Sequence, residues 1–162
     1  MYIDALSEIK TLEPSQVKEL ENNDQCTLID IRDIRELWRD GTIKGAIHIP
    51  RGMLEFWLDP QSQYYNEEKF SKEKKLVLFC AAGLRSALAT KTLKDMGYEN
   101  IAHVNGGFGS LSNEGFEILK IVDIRYGKPY EEKVTKECDN FIFKLIPGSK
   151  DEIKKIAESG IY

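Results

Sequence analysis

Residues 76–89 read LVLFCAAGLRSALA: an apolar run ends on a thiol, crosses a loop of small residues and opens into a helical pattern. LVLF (76–79) has the unbroken hydrophobicity of a short strand covered on both faces. In SALATKTLKDMG (86–97), Ala89, Leu93 and Met96 fall at i, i+4 and i+7 of one helical face, and Gly97 stands where a C-terminal cap belongs. Working outward, TLIDI (27–31) and IAHV (101–104) are further buried strands, and GAIHIP (45–50) is another, closed by Pro50. Between them lie helical segments. LEPSQVKELENN (12–23) has Pro14 in its first turn with Val17 and Leu20 on one face, and Asp33 and Glu36 are spaced as a capping box. RGMLEFWLD (51–59) suits one or two helical turns, PQSQYYNEEKFSKEKK (60–75) a polar loop, and NGG (105–107) a turn. Short apolar strands alternating with helices predict an α/β fold: three layers, with a central, mostly parallel sheet of about five strands and helices on both faces.

The bulk properties narrow the function classes. The chain has 162 residues, 41% hydrophobic and 31% charged, with formal net charge −4. That is enough for one domain with a real core, and nothing in the charge recruits nucleic acid or an anionic membrane. No apolar run approaches the ~18 residues of a membrane span, and the opening MYIDALSEIK, with Asp4 and Glu8, is not a secretory signal. Cys26, Cys80 and Cys138 form neither a CxxC pair nor a disulfide framework, so the expected compartment is the reducing cytoplasm. With two histidines and no clustered ligands, no metal site is expected, and no organic cofactor.

The pattern changes after about residue 117. FIFKLIP (141–147) alternates like a strand, and SKDEIKKIAESG (149–160) is a helix with a Ser149–Glu152 capping box. The expected organisation is a domain over 1–117 and an extension over 118–162. That extension, a strand plus a helix, would pack on the domain or on a second subunit, which makes a homodimer one expected partner state.

Cys80 has two readings, a small core hydrophobe or a nucleophile, and the spacing C-x-x-G-x-R-S before an amphipathic helix favours the second. From Cys80 to Arg85 the backbone can curl so that its N–H groups converge on the sulfur, and the following helix adds unpaired amides and its positive end. Ala81 and Ala82 let the backbone come close, Gly83 permits a positive φ, and Leu84 leaves Arg85 as the one charge of the loop. The thiol pKa should fall, so the nucleophile would need no general-base histidine.

Four segments together resemble the rhodanese family. LIDIRDIREL (28–37) is similar to its strand with the Asp-x-Arg signature, here Asp30 and Arg32, and GTIKGAIHIPRG (41–52) to its G-x-I-x-G-A-x-x-I-P signature. CAAGLRS (80–86) resembles the active-site loop, and MGYENIAHVNGGF (96–108) the closing Gly-Tyr and Gly-Gly segment. The resemblance spans about 12–117 and implies a sulfurtransferase in which Cys80 takes a sulfane sulfur as a persulfide, held by the amides of residues 81–85, and passes it to a thiophilic acceptor such as cyanide or a thiol. Related phosphatases carry a loop one residue longer, so a pocket with four residues between Cys80 and Arg85 suits sulfur better than a phosphoryl group. Thiosulfate users commonly place a basic or polar residue where Ala81 stands, so a small-molecule or protein persulfide is as consistent a donor as thiosulfate. A non-catalytic or regulatory binding module on the same fold is the alternative, and a cysteine-dependent phosphatase or arsenate reductase is a third reading that the short loop disfavours.

Supporting roles are expected of Ser86, of Asp30 and Arg32 as an ion pair near the loop, and of Arg51 as a contact for a donor anion. His48 reads as a structural histidine. Trp57, Tyr64 and Tyr65 read as packing or as an aromatic lip over the site. Phe108 and Leu111, after the two glycines, read as core.

Overall fold

A computed structural model describes residues 2–67, 69–70 and 73–120 in full, and the backbone of 122–123 and 128–129. By internal contacts the chain divides into two units, Met1–Leu119 and Lys120–Tyr162. In the second, the described backbone is an antiparallel ribbon of β8 (Val122–Asp123) and β9 (Lys128–Pro129). The strand and helix expected over 141–160 lie outside the described residues. Among the described residues no helix is long and apolar enough to cross a membrane.

The first unit is an α/β fold. A five-stranded sheet, all of it parallel, runs in the order β1 (Thr11–Leu12), β6 (Ile101–Val104), β5 (Lys75–Phe79), β2 (Cys26–Asp30) and β4 (Ile47–His48). The central strands are buried on both faces, and side-chain alternation sorts their residues into two layers. Ile29, Leu76, Leu78, Cys80 and Ile101 join Leu54 and Leu58 of α4 (Leu54–Leu58) and Ala89 and Leu93 of α5 (Leu84–Asp95). Leu28, Val77, Phe79, Ala102 and Val104 join Val17 of α2 (Pro14–Asn22) and Leu111 of α6 (Gly107–Asn113). The sheet therefore delivers Cys80 to the α5 side, at the carboxyl end of its strands.

Several boundaries differ from expectation. β2 starts and ends one residue earlier than TLIDI, and β4 keeps only two residues of GAIHIP. α5 begins at Leu84, two residues early, so Arg85 and Ser86 lie in its first turn. Met96, expected on the buried face, is 49% exposed because it is the helix C-cap, beyond the last α-helical residue. Gly97, at φ +100°, closes that end: its N–H donates to the Lys94 carbonyl and that of Tyr98 to the Leu93 carbonyl. Local patterning does not announce α1 (Tyr2–Glu8), which lies against α5, nor the ribbon of β3 (Thr42–Ile43) with β7 (Ile118–Leu119). The capping box of α3 (Ile34–Asp40) forms as spaced: the Asp33 carboxylate accepts the Arg35 N–H and that of Glu36 accepts the Asp33 N–H.

Candidate active site

Cys80 follows β5 directly and is 1% exposed, at the base of a loop whose Ala81, Ala82, Leu84 and Arg85 are exposed. Gly83, at φ +91°, turns the chain into α5. Burial of Cys80 raises its thiol pKa, but hydrogen bonds from the Ser86 N–H and hydroxyl and from the Ala82 and Gly83 N–H groups outweigh it, so the thiol ends below its ordinary value. Two of those four donors lie in the loop and two belong to Ser86 in the first turn of α5, where amides have no intrahelical partner. The pattern differs in detail from the expected 81–85 set, because the early start of α5 brings in the Ser86 N–H.

The back of the loop is held by α6. Phe108 N–H donates to the Cys80 carbonyl at 2.7 Å and Gly109 N–H to the Ala81 carbonyl at 3.3 Å. A Cβ on Gly107 would sit 2.3 Å from the Cys80 carbonyl oxygen and 2.9 Å from the Gly83 nitrogen. The NGG turn is thus a close approach of two backbones as well as a reversal. Phe108, expected as plain core, also carries the Arg32 guanidinium 3.9 Å from its ring centroid.

Arg85 reaches back to α3, where both its terminal nitrogens donate to the two Glu36 carboxylate oxygens at 2.7 Å. Its pKa is raised, first by the Glu36 carboxylate and then, after burial acts against it, by the sulfur of Cys80. The charge of the loop is therefore matched by a carboxylate. Ser86 is buried, its hydroxyl 3.6 Å from Cys80 Sγ and 3.0 Å from the Gly83 carbonyl.

Asp30 and Arg32 form a buried ion pair. Arg32 Nε and Nη2 donate to the Asp30 carboxylate at 2.7–3.1 Å, Nη2 also donates to the Gly41 carbonyl at 2.7 Å, and the Thr42 hydroxyl donates to Asp30 at 2.8 Å. They meet the loop indirectly: Asp30 is in register with Phe79, the residue before Cys80, and Arg32 packs on Phe108, whose N–H holds the Cys80 carbonyl. Arg51 pairs with Glu55 at 2.5 Å and contacts the Thr92 hydroxyl at 3.4 Å, over the flank of α5. His48 Nε2 meets the Arg32 carbonyl at 2.9 Å. Trp57 and Tyr65 pack on the α5-side core. Tyr65 also lines a cavity of about 490 Å³ with Leu76, Tyr98 and Asn100, at the amino ends of β5 and β6 and so at the opposite end of the strands from Cys80.

Local sequence pattern does not mark Glu36, His103 or Thr11 as part of the site. Glu36 was visible only as a capping residue, and its partner is 49 positions away. His103 is 1% exposed in an otherwise apolar strand, in register with Ile101 on the α5 side; that lone polar residue was the signal available.

A family model for the rhodanese-like domain matches residues 13–114. The chain is 33% identical over 97 residues to thiosulfate sulfurtransferase/rhodanese-like domain-containing protein 3 of Mus musculus, covering 57% of this chain and 62% of that protein. It is 30% identical over 96 residues to the tRNA uridine(34) hydroxylase of Bartonella quintana, covering 59% and 31% respectively. These matches span less than two thirds of the curated relatives. A solved Rhodopseudomonas palustris protein of unknown function, possible tyrosine phosphatase, superposes with TM-score 0.67 at 46% identity over 73% of this chain and 90% of that one.

Proposed function

The chain belongs to the family of rhodanese-like domains, and from that premise we propose that it is a sulfurtransferase in which Cys80 carries the sulfur. The observation that carries this reading is a buried sulfur at the start of α5 with the Ser86 hydroxyl 3.6 Å away, and its lowered pKa, to which the Ser86, Ala82 and Gly83 N–H groups contribute, supports it. A thiolate held in this way attacks the outer sulfur of a donor. The new Cys80 S–S bond forms as the donor bond to that sulfur breaks, and the electron pair leaves with sulfite or a thiolate. An acceptor thiolate or cyanide then takes the outer sulfur and returns Cys80 to its thiolate. The same donors that hold the thiolate support the anionic terminal sulfur of the persulfide. A small sulfur donor or a protein thiol or persulfide is the partner class we propose, in the cytoplasm. A homodimer through the region after residue 117 extends the proposal.

Intact mass after treatment with thiosulfate or an alkyl persulfide tests it. Wild-type protein should gain one cyanide-labile sulfur and Cys80→Ser none; a wild type that never gains it removes the reading.

The name of the Rhodopseudomonas protein brings phosphate-ester hydrolysis forward as the second reading. Four residues between Cys80 and Arg85, and an Arg85 guanidinium with two nitrogens committed to Glu36, weigh against a tetrahedral phosphoryl group. Turnover of an aryl phosphate that depends on Cys80 would reverse that preference.

A further inference from the structure

A buried polar chain leads away from the thiol. The Ser86 hydroxyl lies 3.6 Å from Cys80 Sγ and 3.5 Å from His103 Nδ1, and His103 Nε2 lies 2.9 Å from the Thr11 hydroxyl. Ser86 and His103 are buried, whereas Thr11, on the edge strand β1, is exposed. We propose that Ser86, His103 and Thr11 form a relay that conducts the Cys80 proton from the closed base of the loop to solvent at β1.

The geometry supports two complementary arrangements. With Cys80 as a thiolate, Thr11 donates to Nε2, the His103 Nδ1–H donates to Ser86, and the Ser86 proton is free for the sulfur. With Cys80 as a thiol, each bond points the other way: S–H to the Ser86 oxygen, Ser86 O–H to Nδ1, and Nε2–H to Thr11. Conversion from thiol to thiolate moves one proton along each link and releases one from Thr11 to water. The imidazole is neutral before and after, with its tautomer exchanged. A neutral ring is what burial enforces, since desolvation alone lowers the His103 pKa.

One contact competes within the chain: the Ser86 hydroxyl also donates to the Gly83 carbonyl at 3.0 Å, a bond it gives up when it turns to the sulfur or to Nδ1. His103 pairs with Thr11 of β1 and with Leu78 of β5, and its backbone N–H is spent on the Lys10 carbonyl. From α5 it meets Ser86; the buried Thr90 hydroxyl, one turn further, has no hydrogen bond among the described residues. On the thiol side the charged neighbour is Arg85, itself held by Glu36. Thr11, exposed on the edge strand β1, offers the proton an exit to solvent that does not pass by Ala81, Ala82 and Leu84.

This inference rests on Cys80 working as a thiolate, and its test does not require sulfur transfer. In ¹⁵N-histidine-labelled full-length protein, the His103 ring nitrogens should exchange tautomer with the same midpoint as Cys80 alkylation, followed by peptide mass. Thr11→Val should slow Cys80 alkylation several-fold below the midpoint, up to about tenfold for a one-unit rise in pKa, and Thr11→Ser should restore it. A His103 tautomer unchanged across the Cys80 titration, or a Thr11→Val profile matching wild type, overturns the relay. Failure of wild type to take up a cyanide-labile sulfur would strike the transfer reading alone.

Discussion

The Arg85 guanidinium and the Glu36 carboxylate meet through two parallel hydrogen bonds of 2.7 Å, joining the first turn of α5 to α3 across 49 residues of sequence. The pair is partly exposed, with Arg85 at 44% and Glu36 at 20%, so its direct worth to the fold is about 1 kcal/mol. Its larger effect is to hold the turn that presents the Ser86 N–H to the sulfur. Glu36→Gln is expected to lower stability by about 1 kcal/mol in urea unfolding. It should also slow sulfur loading of Cys80 several-fold, as measured by intact mass. The Glu36 pKa is lowered, chiefly by Arg85, so this stabilisation is present above the ordinary carboxylate range. It is lost as pH falls through the depressed folded value.

Alkylation should separate the two described cysteines by pH. Burial, reinforced by Glu21, pushes the Cys26 thiol up to about 11, whereas the donors around Cys80 bring its pKa below the ordinary thiol value. Iodoacetamide at neutral pH should therefore label Cys80 well before Cys26, as read by peptide mass. Because the folded Cys80 pKa lies below the unfolded one, thiolate formation adds stability at pH above the unfolded value, and that increment disappears as pH falls through the folded value. Sulfur loading should rise with pH through the same folded midpoint and then level off. A Cys80 midpoint at or above about 8.5 would show that the converging donors do not stabilise an anion.

Gly107 separates a backbone that must be glycine from one that merely is. An added Cβ would meet the Cys80 carbonyl oxygen at 2.3 Å, whereas at Gly45, also at positive φ, nothing lies within 4 Å. Gly45→Ala is expected to cost about 1–2 kcal/mol from the left-handed backbone alone. Gly107→Ala adds a clash with backbone that cannot turn aside, so its loss of stability should exceed that of Gly45→Ala by at least about 1 kcal/mol. Only the Gly107 variant should also slow Cys80 alkylation. Urea unfolding of both proteins beside wild type, with alkylation rates, checks the contrast.

The parallel sheet was legible because its strands are apolar on both faces, as in LVLF and IAHV, and because Gly97 and the Asp33–Glu36 box punctuate the helices. The cysteine loop was legible because its local spacing places the sulfur, the small residues and the helix start together. What escaped depends on long-range pairing. Glu36 looks the same in sequence whether it only caps α3 or also binds Arg85. Thr11 and His103 become neighbours only through the β1–β6 pairing, which two residues of β1 do not advertise. Phe108 was assigned to the core by its hydrophobicity, and its backbone N–H, the group that grips Cys80, carries no sequence signature.

Asp30, Arg32 and Arg51 are expected to divide by what they change. The Asp30–Arg32 pair is fully desolvated and, with Thr42 and Gly41, hydrogen-bonded on several sides. Removing one partner strands a buried charge, so Asp30→Ala should cost about 3–5 kcal/mol. In the folded fraction that remains, the alkylation midpoint of Cys80 should hold, because neither residue donates to the sulfur. Among the described residues the Arg51 side chain hydrogen-bonds Glu55 and reaches Thr92 on the flank of α5. Arg51→Ala is therefore expected to leave the KM for thiosulfate within about twofold of wild type, and stability within about 1 kcal/mol. A tenfold rise in that KM would instead place Arg51 at the donor, and steady-state kinetics on the two variants beside wild type tells brace from binding group.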